Sequence, residues 1–148
     1  MTISDVTAKS GAISASSLPQ VRQENSIDFA IGPEASHTEA MERAGALAAM
    51  ALPRMLAGAP DVARTCADVQ AVLTELVDVT TRHSAGDGLV ARISYDGGHV
   101  MVSVGDMGRT LPAPEEEPGL YLVHRVAAEV GQYAGDHGGR VTWAAVPA

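Results

Sequence analysis

The sequence predicts a single α+β domain in which helices cover one face of a mixed, mostly antiparallel sheet, as a two-layer α/β sandwich. Two kinds of local pattern support this fold class. Runs that alternate apolar and polar residues predict strands, and stretches with apolar residues at helical spacing predict helices. They follow one another as strand, two helices, two strands, a loop, a helix and two strands. The length of 148 residues fits one domain of this kind.

The first half of the chain contains one predicted strand and two predicted helices. Residues 26–32 alternate in polarity and predict a half-buried strand. Residues 34–58 are rich in alanine and methionine near helical spacing, although Pro53 predicts a kink or a break. Residues 62–83 carry the clearest helical pattern. The methionines of the first helix are interpreted as core residues rather than as a partner groove: Met41, Met50 and Met55.

The second half contains the remaining strands and one helix. Residues 89–95 and 99–106 predict two strands, and the Asp-Gly pair between them indicates a hairpin turn. Residues 107–118 predict a loop that ends in three consecutive glutamates and a proline. A helix is predicted to begin near Gly119 and to carry Leu120, Val123, Val126, Ala127 and Val130, followed by strands at 132–135 and 140–146.

Composition excludes several classes of function. The net charge of −8, from 18 acidic and 10 basic residues, argues against general nucleic-acid binding. No apolar run is long enough to span a membrane, and the first residues lack a secretory signal, so we expect a cytoplasmic protein. Residues 1–25 are predicted to be a flexible N-terminal arm, and residues 26–148 the folded domain.

Neither cysteine nor histidine points to a metal site. The one cysteine, Cys66, leaves no pair for an internal disulfide, and we interpret it as a buried, inert thiol. The histidines lie on different predicted elements without the spacing that zinc ligands require. They are His37, His83, His99, His124 and His137.

Three segments share their order and spacing with a known superfamily. They are residues 74–83 on the long helix, 102–108 at a strand end, and 119–131 from the start of the next helix. Together they resemble the three motifs of the histidine-kinase-like ATPase superfamily, and within it the small actinobacterial group related to anti-sigma-factor kinases. The resemblance covers residues 27–146. It implies a Bergerat-type sandwich and a nucleotide site built from these segments.

The first motif of that family supplies a catalytic glutamate and, four residues later, an asparagine that helps to hold Mg²⁺. The resemblance assigns Glu75 to the first role, but Val79 occupies the asparagine position. Valine has no lone pair for a hard cation. Asp78 is the nearby substitute, and it is turned by about 100° around the helix.

The second and third motifs bind adenine and the phosphates. The resemblance places Asp106 and Gly108 against adenine, although Thr110 replaces the family's second glycine. It places the phosphates at the helix start formed by Gly119 and Leu120, where helix N–H groups bind anions. Residues 115–117, all glutamates, precede this helix and are interpreted as a solvated loop. Arg109 is the one basic side chain near the γ-phosphate position.

These departures lead to our main functional hypothesis. The chain resembles a degenerate anti-sigma factor, a pseudoenzyme that regulates transcription by binding another protein, with phosphoryl transfer lost, no metal and no resident cofactor. The implied partners are a sigma factor or an anti-anti-sigma antagonist, and the sequence is also compatible with a homodimer. One alternative is an active ATP- and Mg²⁺-dependent serine protein kinase. Another is a nucleotide cleft reused for a different small ligand, as an apolar pocket lined by Val79, Asp106 and Leu120.

Overall fold

Five strands and three helices make up the computed structural model, which describes residues 25–84, 86, 88–136 and 138–148. Residues 1–24 of the predicted arm lie outside this range. In chain order the elements are β1 (Ser26–Ile31), α1 (His37–Met55), α2 (Val62–Arg82), β2 (Leu89–Tyr95), β3 (His99–Met107), α3 (Gly119–Val126), β4 (Glu129–Ala134) and β5 (Arg140–Pro147).

The strands form one open sheet in the order β1-β2-β3-β5-β4. All four pairings are antiparallel, so the expected mixed sheet is antiparallel throughout the described residues. The predicted hairpin joins β2 to β3. Gly97 has a φ of +98°, which favours glycine, and the Asp96 carboxylate accepts hydrogen bonds from the amides of Gly98 and His99 at 2.8 and 2.7 Å.

Helices α1, α2 and α3 pack on one face of the sheet, which confirms the two-layer α+β arrangement. Every second strand residue points into the core, because strand side chains alternate between the faces. In β3 these are Val100, Val102 and Val104, which have no measurable exposure. The opposite face has no helix on it within the described residues, and it exposes Val90 by 61% and Tyr133 by 54%.

Helix α1 begins with a capping box and tolerates its proline. Ser36 accepts a hydrogen bond from the Glu39 amide, and the Glu39 carboxylate accepts one from the Ser36 amide. Pro53 lies in the last turn, and the helix continues to Met55. The predicted break at Pro53 is therefore wrong, and because only two helical residues follow the proline, the distortion that it causes is confined to the last turn.

Helix α3 is shorter than its apolar spacing predicted. It ends at Val126, and Ala127 already has an extended backbone with ψ of 146°. Val130 belongs to β4, which starts earlier than predicted and pairs with β5. The assignment of Ala127 and Val130 to the helix is therefore wrong. Pairing with the open edge of β5 overrides a local period that continues by chance across the junction.

Candidate functional site

The predicted nucleotide residues of α2 have different surroundings: Glu75 lies against the start of α3, Asp78 against the start of α1, and Val79 in the core. Val79 is 1% exposed and belongs to the hydrophobic core. It contacts no solvent at the position where the family's asparagine would reach a metal. Within the described residues, no group of three or more histidine, cysteine, aspartate or glutamate side chains is arranged to hold a metal ion.

Asp78, the substitute metal ligand, is already occupied by two partners. Its carboxylate accepts hydrogen bonds from Arg82 at 3.0 and 3.2 Å and lies 2.5 Å from Nε2 of His37 at the start of α1. The bond from Arg82, more than that from His37, holds the pKa of Asp78 below its usual range. Asp78 therefore joins α1 to α2 and has little remaining capacity for a cation.

Glu75 lies against the first residue of α3. A Cβ placed on Gly119 would collide with the Glu75 carboxylate. Partial burial, with a smaller effect of Asp78 nearby, raises the pKa of Glu75. The amides of Leu120 and Tyr121 donate to the carbonyls of residues 117 and 118, at 2.9 and 3.0 Å. The helix start that would bind phosphate thus faces a carboxylate and has two of its N–H groups engaged.

The loop of residues 108–118 is tied to the end of α2. Glu117 forms an ion pair with Arg82, and its other oxygen lies 3.8 Å from Nε2 of His83. Arg82 holds the pKa of Glu117 below its usual range. The Glu117 side chain is only 15% exposed, so the interpretation of this residue as solvated is wrong. The Gly108 amide donates to the His83 carbonyl at 2.8 Å.

Arg109, the residue expected near a γ-phosphate, pairs with a glutamate of its own loop. Its side chain is 51% exposed and lies 3.6 Å from the carboxylate of Glu116 within the same loop. The pair is exposed and contributes little to stability. Two of the three consecutive glutamates therefore have arginine partners, one on α2 and one in the loop.

Apolar side chains fill the space between α2, α3 and the sheet. Met107 and Val123 have no measurable exposure, and Leu120 is 1% exposed. All three belong to the same core as Val79, and Leu111 of the loop packs against it. The apolar pocket expected for a reused cleft is therefore occupied by the chain's own side chains, which counts against that hypothesis.

Asp106 lies on the opposite face of the sheet from Glu75. The register of β3 against β5 shifts between Val104 and Met107, as in a β-bulge, and Met107 takes the inward position. Asp106 instead lines a cavity of about 390 Å³ on the helix-free face, with Arg92 and Tyr133. The structure therefore does not bring together the two carboxylates that the resemblance assigns to one nucleotide site.

Gln132 is a connecting residue that the sequence did not reveal. Its side-chain amide donates to Thr142 at 3.0 Å and lies 3.5 Å from the Met107 sulfur, and its carbonyl oxygen accepts from the Leu111 amide at 3.0 Å. This one side chain fastens the loop to the sheet. An inward polar residue on a short strand was the only signal for it.

A groove with a volume of about 690 Å³ lies between the outer strand β1 and helix α1. We call it the β1–α1 groove. Met50 is 78% exposed beside it and Leu47 is 40% exposed, which overturns the assignment of Met50 to the core. The groove is lined by Ser26, Ile27, Asp28, Phe29, Leu47, Met50, Ala51, Arg54 and Met55.

The exposed face of α1 beside this groove carries no charge over nearly three turns. Residues 44–53 contain no acidic or basic side chain. A helix face in contact with water normally carries charged residues opposite its buried stripe. Ala46, Leu47, Ala49, Met50 and Pro53 are all exposed instead. The absence of charged residues from 44 to 53 could have indicated this exposed apolar face, which the interpretation of the methionines as core residues did not recognise.

In the described part of the chain, the remaining cysteine and histidine side chains belong to no metal-binding group. Cys66 is half-buried rather than buried as expected, and this partial burial raises the pKa of its thiol. His37 and His83 belong to the ion-pair region at the end of α2, and His137 lies outside the described residues. Among the described helices, none is both long and apolar enough for a bilayer crossing. No family model matches the chain, and no curated protein is found to be similar to it in sequence.

Proposed function

We propose that this chain is a regulatory protein that acts by binding another protein through the β1–α1 groove and the adjoining exposed face of α1. The observation that carries the proposal is the uncharged, exposed face of α1 beside the β1–α1 groove. A contiguous apolar surface of this kind is exposed to water at a cost unless a partner covers it. Exposed methionine also adapts its shape to a partner surface.

The resemblance supplies the class of partner. Its three motifs are those of a Bergerat-type fold, and the observed antiparallel sheet with helices on one face is compatible with that fold. Among the relatives that the resemblance implies, the partners are sigma factors or their anti-anti-sigma antagonists. We therefore propose a degenerate anti-sigma factor in which binding, rather than phosphorylation by this chain, carries the regulation.

The filled cleft supports the loss of phosphoryl transfer. Val79 offers no metal ligand, Asp78 is paired with Arg82, and Glu117 is directed towards Arg82 rather than towards solvent. Transfer of a phosphoryl group relies on a cation that neutralises the developing charge. A nucleotide would have to displace both an ion pair and core side chains.

The test of the proposed function compares capture by three immobilised proteins in an extract of the native host. They are the wild type, Met50→Glu in the apolar surface, and Tyr133→Glu, at a position that is 54% exposed on the opposite face of the sheet. The captured protein is then purified and its affinity measured. We expect Met50→Glu to weaken binding by about tenfold or more and Tyr133→Glu to leave it unchanged. Equal binding by all three proteins would refute the proposed surface.

The competing hypothesis is an ATP-dependent serine kinase, and one observation favours it. Glu75 lies beside the N-terminus of α3 with a raised pKa, as a general base requires. Titration with ATP and Mg²⁺ while following thermal unfolding separates the two functions. A ligand at a hundredfold excess over its Kd adds about 2.7 kcal/mol to stability. We expect no Mg²⁺-dependent shift up to millimolar ATP, and a clear shift would support the kinase.

A further inference from the structure

Among the residues that the structure describes, no strand pairs with the outer edge of β1, and the backbone groups on this edge follow a regular order. Within the described residues, β1 pairs only with β2. The Tyr95 amide donates to the Asn25 carbonyl, which makes residues 25 and 95 a hydrogen-bonded pair. Antiparallel pairs alternate between hydrogen-bonded and non-hydrogen-bonded types, so the N–H and C=O groups of every second residue point away from β2. These outward residues are Ser26, Asp28 and Ala30.

The β1–α1 groove lies beside this edge and on the core side of it. Ile27 and Phe29 of β1 line one side of the groove, and Leu47 and Met50 of α1 line the other side. A strand added next to β1 would direct every second side chain into the groove and the others to the helix-free face. An occupant that alternates apolar and polar residues therefore satisfies both the edge and the groove at once.

The charge of Asp28, at the middle of the edge, distinguishes two candidates for an added strand: β1 of a second copy and a segment of a different protein. Asp28 is the central outward residue, and its side chain is 62% exposed, with Arg92 of β2 at 3.3 Å as an exposed partner. An antiparallel pairing of two copies that uses all three outward residues places Asp28 of both copies opposite each other. Like charges at directly opposite positions are destabilising, whereas opposite charges stabilise the pair.

We infer that β1 binds an extended segment of a partner protein as a sixth strand of the sheet. The segment alternates apolar side chains that enter the β1–α1 groove with polar ones, and carries lysine or arginine opposite Asp28. Backbone hydrogen bonds to Ser26, Asp28 and Ala30 supply affinity, and the groove and Asp28 supply specificity. This inference rests on the proposed function and names the partner's binding element.

The experiment uses a displayed library of linear ten-residue peptides, selected on the wild-type protein. We expect enriched peptides to alternate apolar and polar residues with a basic residue at a polar position. One such peptide is then synthesised and its affinity measured for two matched variants. Ala30→Pro removes an outward N–H of β1, and Ala134→Pro removes the equivalent N–H on the other edge strand, β4.

The two proline variants give opposite expectations. We expect Ala30→Pro to weaken binding by about tenfold or more, because it removes a backbone donor and adds a ring at the edge. Ala134→Pro should bind within about twofold of the wild type. Enrichment of no peptide, or of peptides without alternation, or equal binding by both variants, overturns the inference.

Hydrogen exchange provides a direct readout at the edge. We expect the amides of Ser26, Asp28 and Ala30 to exchange rapidly in the free protein and about tenfold or more slowly with the peptide bound. Amides that are already protected without peptide would mean that the chain itself or a second copy covers the edge, which overturns the inference.

A charge exchange keeps the test valid if Ala30→Pro does not fold. Asp28→Lys should weaken the selected peptide, and a peptide with glutamate in place of its basic residue should restore binding. Failure of this restoration overturns the inference. Binding of the captured protein that is lost in Met50→Glu but kept in both Ala30→Pro and Asp28→Lys would leave the proposed function intact and exclude strand addition.

Discussion

The two sides of the helical layer differ in how completely the chain's own side chains fill them. Between α2 and α3, apolar side chains and the pair of Arg82 with Glu117 close the cleft. Between α1 and β1, a groove of about 690 Å³ stays open beside exposed Leu47 and Met50. In the first region the chain's own side chains fill the space, and in the second region apolar side chains are exposed to water. Burial of exposed apolar area favours association, so binding is expected on the second side.

The largest expected effect is on the closed side. Val79→Asn, which introduces the metal-binding residue of the superfamily that the sequence resembles, should lower the free energy of unfolding by about 2–4 kcal/mol, because the amide would be buried without a partner. Leu47→Asn on the open side is the matched control, with an expected change within about 0.5 kcal/mol. Urea denaturation measures both. A Val79→Asn protein that is as stable as the wild type and binds ATP with Mg²⁺ would contradict the filled cleft.

The ion pair of the closed cleft should have an intermediate effect. Arg82→Ala removes the partner of Asp78 and of Glu117, and should cost about 1–2 kcal/mol, less than a fully buried pair because the arginine is 42% exposed. Arg92→Ala, which breaks the more exposed pair with Asp28, should cost below about 0.5 kcal/mol. Thermal unfolding compares the two variants. Equal losses of stability in the two variants would show that the ion pairs of Arg82 contribute no more than an exposed surface pair.

The smallest effect is the pH dependence of that same ion pair. The pKa values of Asp78 and Glu117 are lowered in the folded protein, so their contribution is complete above the ordinary carboxyl values of about 4 and is lost as pH falls through the folded-state pKa. Glu75, whose pKa is raised, has the opposite sign. The stability difference between wild type and Arg82→Ala should therefore shrink from pH 6 to pH 3. A difference that is constant over this range would contradict the assignment.

Most elements followed from the sequence because their patterns are local. Helix α2 was predicted to end at His83 and ends at Arg82, and β2 has the predicted limits. The end of α3 was not predictable, since the spacing from Val123 to Val130 suits a helix equally well. The Ala128 amide, which donates to the Ala145 carbonyl, shows that a contact distant in sequence decided the boundary.

The candidate site was less predictable for two physical reasons. The alternation of side chains along a strand predicts which face each residue occupies only while the register is regular. The irregularity before Met107 places Met107 on the inward face, where the alternation predicted Asp106. Helical periodicity identifies apolar residues but does not say which apolar face is covered. Met55 is buried at 5% exposure and Met50 is 78% exposed on the same helix.

The position of Glu75 has a consequence for any anion that approaches α3. The positive end of a short helix already faces a negative group of the same chain. Phosphate or sulfate would first have to move this carboxylate aside, and the free energy of that movement is subtracted from the affinity. The Glu75 carboxylate thus competes with phosphate for the N-terminus of α3. We therefore expect inorganic phosphate to leave the stability of this protein unchanged at concentrations that stabilise proteins with an unoccupied helix terminus.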